Sequence, residues 1–193
     1  MTTGTKKPAK TSKRAATPRL ISVDGVDAAA VLAHAKLALG PGSGAGSSAG
    51  SRGGISKWDA SGVFQELAVA EDSAGTPSAR TLLLLYAADL AFRLRWQIRP
   101  ALAEGRTVVA APYVDTALAF GRAAGLPSAW LMNLFRFAPR PQRRLFAHAT
   151  AAHAAVVKDG FVVFSADRVA GDKASRRRIL AQTAAELRLR FDR

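Results

Sequence analysis

Apolar residues along the chain alternate between short runs typical of buried strands and longer stretches with helical spacing. The short runs predict strands at 20–24, 107–111, 144–149 and 161–164. The longer stretches predict helices at 28–39, from Ser56 or Asp59 to 68, 79–103, 115–124, 128–137 and 173–191. Strands that alternate with helices favour a three-layer α/β fold, in which helices cover both faces of a parallel sheet.

The predicted helices carry start signals and apolar stripes. Asp27 is a candidate N-cap for the first helix, and Ser78 directly precedes the longest one. The main stripe of the longest helix consists of Leu84, Ala87, Ala91, Leu94, Ile98, Ala101 and Leu102. A second stripe is displaced around that helix and consists of Leu85, Phe92 and Trp96. It predicts either more core or a subunit interface, and the sequence leaves the two open.

Two segments have no apolar periodicity. Residues 1–19 are rich in Lys, Thr, Ala and Pro, and we interpret them as a disordered basic tail. Residues 40–54 (GPGSGAGSSAGSRGG) form a flexible Gly/Ser-rich linker or loop within one domain at 20–193. The glycines at 40–54 do not make a phosphate loop, because no strand precedes them and no Gly-Lys-Ser/Thr closes them.

The amino-acid composition excludes several kinds of catalytic and metal-binding site. The chain has no cysteine, which excludes a disulfide scaffold, a thiol nucleophile and a cysteine-based metal site. Its histidines are His34, His148 and His153, without carboxylates at ligand spacing, so we expect no metal site and no catalytic triad. No apolar run approaches the roughly 20 residues of a membrane span, and we expect a cytoplasmic protein.

The net charge of +14 is concentrated at the two ends. Residues 1–19 carry six basic residues and no acid, residues 20–135 are balanced, and residues 136–193 have 13 basic against five acidic residues. Such ends attract polyanions, either nucleic acid or acidic protein. The candidate contacts are Lys6, Lys7, Lys10, Lys13, Arg14, Arg176, Arg177 and Arg178. A solvated charged face is the alternative interpretation of the three arginines.

Four landmarks occur in order along the middle of the chain: LLLLYAAD at 82–89, IRPALAEG at 98–105, PYVDTALAF at 112–120 and WLMNLFRFAPRP at 130–141. Together they resemble the thymidylate kinase family. The opening ISVDGVDAAA resembles that family's phosphate-loop strand, and FVVFSADRV resembles its last strand. The resemblance covers about 20–190 and implies a fold of the P-loop NTPase type, with nucleotide binding and a homodimer through helices that include Phe92 and Trp96.

The side chains on which that family's chemistry depends are mostly missing. In the phosphate loop, Gly25 matches the first glycine, but Ala30, Val31 and Leu32 stand at the positions of Gly, Lys and Ser/Thr. An Asp-Arg pair is replaced by Ala111-Pro112, and an arginine by Leu90. The segment at 148–160, where the family has an arginine-bearing lid, is short and contains no arginine.

The resemblance leaves a vestigial nucleotide-binding set consisting of Asp24, Gly25, Tyr86, Tyr113 and Asp115. Core packing is the alternative role for Tyr86, and helix capping for Asp115. We expect a catalytically inactive binding or scaffold module without a cofactor. The alternatives are a dTMP or nucleotide kinase with a divergent site, which would need ATP and Mg²⁺, and a non-specific nucleic-acid-binding protein that uses its basic tail.

Overall fold

The described part of the chain folds around a four-stranded parallel β-sheet. The computed structural model describes residues 19–40, 54–58, 75–148 and 160–192. The strands are β1 (Leu20–Asp24), β2 (Gly54–Lys57), β3 (Val108–Ala111) and β4 (Arg143–Phe146). They lie in the order β2-β3-β1-β4. Leu20 pairs with Val108 of β3, and Ile21 pairs with Arg143 of β4, so β1 is central.

The helices fill the segments between the strands and follow the last one. They are α1 (Ala28–Leu39), α2 (Ala79–Arg93), a π-helical segment (Leu94–Ile98), α3 (Arg99–Ala103), α4 (Val114–Ala123), α5 (Ser128–Leu134), α6 (Phe161–Val169) and α7 (Lys173–Phe191). α2, the π-helical segment and α3 follow one another directly, as the predicted helix at 79–103 required. α7 packs against α4, α6 and β4.

Each face of the sheet has its own apolar core. Ile21 and Val23 of β1 point to the face covered by α1, where they join Val31 and Ala35. Leu20 of β1 and Val108 and Ala110 of β3 point to the other face, which α2 and the later helices cover. This alternation follows from the two-residue repeat of a strand. Helices on both faces of a parallel sheet confirm the predicted fold class.

Side-chain caps fix the starts of three helices. Asp27 accepts a hydrogen bond from the Ala30 amide at the start of α1, and Ser78 accepts one from Thr81 at the start of α2. Asp172 accepts one from the Ser175 amide at the start of α7. Amide and hydroxyl donation by Ser175 holds the pKa of Asp172 below its usual range. The predictions of Asp27 and Ser78 as helix starts are confirmed.

One predicted strand and one proposed helix start are wrong. The predicted strand at 161–164 is the first part of helix α6, in which Phe161, Val162, Ser165 and Ala166 are buried at helical spacing. Ser56, one of the two proposed starts of a helix to 68, lies in strand β2 and pairs with Ala110. The other proposed start, Asp59, and the rest of that predicted helix lie outside the described residues. The strand β2 was not predicted.

The apolar stripe of α2 is also shifted from its predicted position. Leu84 and Ala91, expected to face the core, are exposed. Ala87, Leu94, Ile98 and Ala101 of the predicted stripe are buried as expected. The buried face of α2 consists of Ala79, Leu82, Leu83, Tyr86, Ala87, Leu90 and Arg93. Four consecutive leucines leave the phase of a helical stripe ambiguous, and packing against the sheet resolves it. In the described residues no helix is long and apolar enough to cross a membrane.

Candidate functional site: the carboxyl ends of β1 and β3

The predicted nucleotide-binding residues meet where β1 and β3 end, the edge at which parallel sheets bind ligands. Asp24, the last residue of β1, is fully buried. Its Oδ1 accepts hydrogen bonds from the amides of Tyr113 and Thr116, each at 2.9 Å, and from the Thr116 hydroxyl at 2.8 Å. Since Tyr113 and Thr116 lie at the start of α4, Asp24 caps that helix from a neighbouring strand.

Burial raises the pKa of the Asp24 carboxyl from 3.8 to about 6. The negative charge of Asp115 adds to this effect, and the hydrogen bonds from Thr116 and Tyr113 oppose it. The second carboxyl oxygen, Oδ2, is buried and accepts no hydrogen bond within the described part of the chain. The carboxylate is therefore held in place through one oxygen, while desolvation of the other favours the protonated form.

Thr116 connects Asp24 to the start of the β1–α1 connection. Its hydroxyl donates to Asp24 and accepts a hydrogen bond from the Gly25 amide at 3.1 Å. A side chain at Gly25 would not fit, because its Cβ would lie 2.8 Å from Val31 and 2.9 Å from the Ala147 carbonyl. The sequence analysis missed Thr116, whose partner lies 92 residues earlier in the chain. No local pattern indicates such a pairing.

The β1–α1 connection is short and is packed by the chain itself. β1 ends at Asp24 and α1 begins at Ala28, so only three residues connect them. The Asp27 carboxylate accepts from the Ala30 amide at 2.7 Å. Val31, at the position of the phosphate-loop lysine, is 3% exposed and belongs to the core under α1. The start of α6 lies against the start of α1, since a Cβ added at Gly160 would lie only 2.9 Å from the Ala28 side chain.

The two tyrosines of the predicted site are tied into the core. The hydroxyl of Tyr86 donates to the Tyr113 carbonyl at 2.8 Å, and that of Tyr113 donates to the Pro139 carbonyl at 2.8 Å. The ring of Tyr86 contacts Phe161 and Phe135 at centroid distances of 4.4 and 6.0 Å. Burial raises the pKa of both phenols above the ordinary value. This packing is the core role that the sequence left open for Tyr86.

Asp115 forms ion pairs with two arginines. Its carboxylate lies 2.8 Å from Arg144 of β4 and 3.0 Å from Arg190 of α7. It lies in the first turn of α4, whereas Tyr113 occupies the N-cap position. The suggested capping role of Asp115 is therefore wrong, and the residue instead links three elements.

Arg93 is a buried cation at this edge of the sheet, and the sequence analysis missed it. It is 1% exposed, and its guanidinium lies 2.8 Å from Asp89. It also donates hydrogen bonds to the carbonyls of Ser56 and Pro112, at 3.2 and 3.3 Å. These hydrogen bonds join the ends of β2 and β3. The four-residue spacing between Asp89 and Arg93 could have indicated their ion pair from the sequence.

The remaining candidates lie on the surface or outside the described residues. Arg177 and Arg178 are exposed on α7, whereas Arg176 forms an ion pair with Asp167. Phe92 and Trp96 are 59% and 58% exposed on the outer side of the long helical region. The tail cations, which lie outside the described residues, are Lys6, Lys7, Lys10, Lys13 and Arg14. The described residues contain no group of His, Asp or Glu side chains that could hold a metal ion.

This edge does not fit ATP and Mg²⁺ in the manner of a phosphate loop. Binding there requires a lysine for the phosphates, a hydroxyl for the metal and free backbone amides around the anion. Val31 and Leu32 supply neither side chain, and the Ala30 amide already donates to Asp27. In the described residues, the arrangement joins strand ends to helix starts.

Comparison with known proteins links the chain to one family. A probable thymidylate kinase of Pyrococcus abyssi is 45% identical over 58 residues, which are 30% of this chain and 28% of that protein. A probable thymidylate kinase of Pyrobaculum calidifontis is 31% identical over 80 residues, 42% of each chain. The chain thus spans less than half the length of these relatives. No protein-family model matches it.

The fold comparison extends further along the chain. The crystal structure of thymidylate kinase from Ehrlichia chaffeensis superposes with a TM-score of 0.54 and covers 68% of this chain and 72% of that one. Sequence identity in this superposition is 14%, so the likeness is one of fold. Together with the partial sequence matches, it shows that the chain is similar to thymidylate kinases in part of its sequence and in its parallel α/β fold.

Proposed function

We propose that this thymidylate kinase-like protein does not transfer phosphate and serves as a binding or scaffold module. The observation that carries the proposal is the three-residue connection between β1 and α1. A phosphate loop needs the full Gly-x-x-x-x-Gly-Lys-Ser/Thr stretch to wrap an anion between strand and helix. Here the helix begins at Ala28, the third residue after Gly25. Three consecutive alanines favour this early start, because alanine has the highest helix propensity.

Charge at the start of α1 supports the same conclusion. Free amides and the helix dipole normally attract an anion to a helix start. The Asp27 carboxylate already accepts the Ala30 amide and places a negative charge there. A phosphate would meet that negative charge without a lysine to compensate. Because loss of one stabilising donor lowers rates by about 10²–10³, loss of several removes measurable catalysis.

The groups around Tyr86 provide further support. In a substrate site an aromatic ring must offer a free face for a base. Both Phe135 and Phe161 contact the Tyr86 ring, and Arg93 lies 5.9 Å from it. Arg93 itself donates to two strand-end carbonyls and to Asp89, so these contacts occupy it. The preserved residues therefore serve the fold rather than a nucleotide.

A kinase assay tests the proposal. Purified protein is incubated with dTMP, ATP and Mg²⁺, and formation of dTDP and ADP is followed against a reaction without protein. We expect no turnover above that background. The matched control is Asp24→Asn, prepared in the same way, because any activity from a contaminating kinase would be equal in both samples. Turnover by the native chain that falls in Asp24→Asn would establish a divergent kinase and contradict the proposal.

The partner in this proposal is a polyanion, reached through the basic ends. Arg177 and Arg178 extend from the first half of α7 into solvent. A cavity of about 370 Å³ beside them is lined by Lys173, Arg176, Arg177 and Asp167. Three cations against one acid give this surface the sign that attracts phosphate groups or acidic side chains. The residues of the tail add positive charge of the same kind.

A further inference from the structure

We propose that the exposed face of α7 binds the phosphate backbone of double-stranded nucleic acid, independently of base sequence. Four cations, which we call the basic face, carry the inference: Lys173, Arg177, Arg178 and Arg188. The inference rests on the proposed function, because it names the polyanion that the basic carboxyl-terminal end would bind. It concerns neither the basic tail nor the edge of the sheet where β1 and β3 end.

The basic face contains no acid, and its cations are exposed. They form no ion pair within the described part of the chain, whereas Arg176 and Arg190 of the same helix pair with acids of α6 and α4. Glu186, the one acid in α7, pairs with Arg122 of α4. Asp172 precedes the helix and caps its start. The charge of the basic face is therefore available to an external anion.

The basic face extends along about four turns of one helix. From Lys173 to Arg188 the distance along the helix axis is about 22 Å, at a rise of about 1.5 Å per residue. Arg177 and Arg188 differ by only about 20° around that axis, at about 100° per residue. A duplex of about six to seven base pairs has the same length, at about 3.4 Å per base pair. This extent indicates a linear charged polymer rather than a single phosphate group.

The other exposed side chains of α7 argue against a membrane, a single strand or an apolar protein surface. Leu189 is the one large apolar side chain exposed on this helix, and Phe191, its one aromatic residue, stacks on Phe146 at a centroid distance of 5.5 Å. Membranes and protein partners need large apolar anchors, and single strands need exposed aromatic rings. The positions between the cations are instead small or polar: Ala174, Ala181, Gln182 and Ala185. Phosphate contacts dominate duplex binding, and the basic face supplies such contacts.

The rigidity of α7 favours a duplex over a flexible acidic polypeptide. Ile179, Thr183 and Leu187 are buried beneath the helix, and the ion pairs of Arg176 and Arg190 fix it near both ends. The cations of the basic face therefore keep a constant spacing. A DNA duplex is also stiff, with a persistence length of about 50 nm. Less conformational entropy is lost when two preorganised charge arrays bind than when a flexible chain must be ordered.

The test measures binding of the full chain to a fluorescein-labelled duplex of about 20 base pairs, and to labelled poly-L-glutamate, by anisotropy. We expect the double variant Arg178→Gln/Arg188→Gln to weaken duplex binding by about 10- to 60-fold at about 0.1 M salt, with a salt slope lower by about 1.8. The loss for poly-L-glutamate should be smaller, because a flexible chain can move to other cations. The matched control is Arg136→Gln/Arg140→Gln, which removes the same charge from exposed positions outside α7 and should keep the native slope. Thermal unfolding of each variant confirms that it is folded.

Three results would overturn the inference while the proposed polyanion partner stands. They are equal duplex affinity and slope in the two double variants, an equal fractional loss for duplex and poly-L-glutamate, and a loss for poly-L-glutamate alone, which would assign the basic face to an acidic protein. A native chain that binds neither ligand, nor heparin, would contradict the inference and the polyanion partner together. Two duplexes of unrelated sequence should bind equally, and a preference for one would contradict binding through the phosphate backbone.

Discussion

At the residue scale, Asp24 shows how one buried carboxylate joins a strand end to a helix start. Its carboxylate joins the end of β1 to the start of α4 through three hydrogen bonds on one oxygen. The buried position raises its pKa to about 6, so the folded state holds a proton more tightly than the unfolded state, whose value is 3.8. This residue therefore couples stability to pH.

Replacement of Asp24 by Asn removes that coupling. A raised folded-state pKa contributes stability that is complete below pH 3.8 and is lost as the pH rises through about 6. We expect the unfolding free energy of the native chain, relative to that of Asp24→Asn, to fall by about 2 kcal/mol between pH 4 and 7. Urea denaturation across this range measures the difference. Parallel curves for the two proteins would show that Asp24 does not titrate in this window.

Thr116 is the second test at this scale, since its hydroxyl both donates to Asp24 and accepts from Gly25. Thr116→Val keeps the shape and leaves buried groups unpaired, so we expect a loss of about 1–3 kcal/mol in unfolding free energy. Thr116→Ser retains the hydroxyl and should lose less. Equal destabilisation of the two variants, measured by urea denaturation, would assign the effect to packing rather than to the hydrogen bonds.

At the element scale, the sequence predicted correctly a helix whose bounds depend on residues close together in the chain. α1 begins at Ala28 after the Asp27 cap and ends at Leu39, as predicted, because caps and helix formers act within a few residues. The strand at 161–164 was predicted from Phe-Val-Val-Phe, yet Phe161 packs against Tyr86 and Phe120 as part of a helix. Tertiary packing overrides strand propensity there.

The missed elements depend on partners far along the chain. β2 has the sequence Gly-Ile-Ser-Lys, with one β-branched residue, and exists through its pairing with β3 about 50 residues later. At the site, the resemblance indicated Asp24 and Gly25, but not that Thr116 joins these two residues or that Arg93 joins the ends of β2 and β3. These contacts join residues 37 and 92 positions apart, so sequence spacing alone could not indicate them.

The cap of α1 provides the prediction at this scale. Asp27→Ala removes the acceptor for the Ala30 amide and should lower the unfolding free energy by about 1 kcal/mol. Asp27→Asn keeps an acceptor oxygen and should stay within a few tenths of a kcal/mol of the native chain. Thermal unfolding of the three proteins measures both effects. A loss in Asp27→Asn as large as in Asp27→Ala would mean that charge, not capping, stabilises this helix start.

At the scale of the whole molecule, the excess positive charge lies at the two ends of the chain. The side chains of the protein itself pack the edge of the sheet where β1 and β3 end. The prediction that the tail contacts polyanions concerns residues outside those described, and it depends on charge alone. Replacement of Lys6, Lys7, Lys10, Lys13 and Arg14 by Gln should weaken binding to heparin and to nucleic acid alike. The salt slope for duplex DNA should fall by up to about 0.9 per lost contact. An unchanged slope would place the phosphate contacts on the folded domain.

Ligand-induced thermal stabilisation shows whether the start of α1 accepts a nucleotide phosphate. Unfolding is measured in moderate salt with dTMP, dTTP, and ATP with Mg²⁺. A ligand at 100 times its Kd stabilises a protein by about 2.7 kcal/mol, which for a chain of this size shifts Tm by about 5–11 °C. We predict no shift with any of the three. A shift of that size with one nucleotide would show that the edge formed by β1, β3 and α1 still binds it, and would contradict the account.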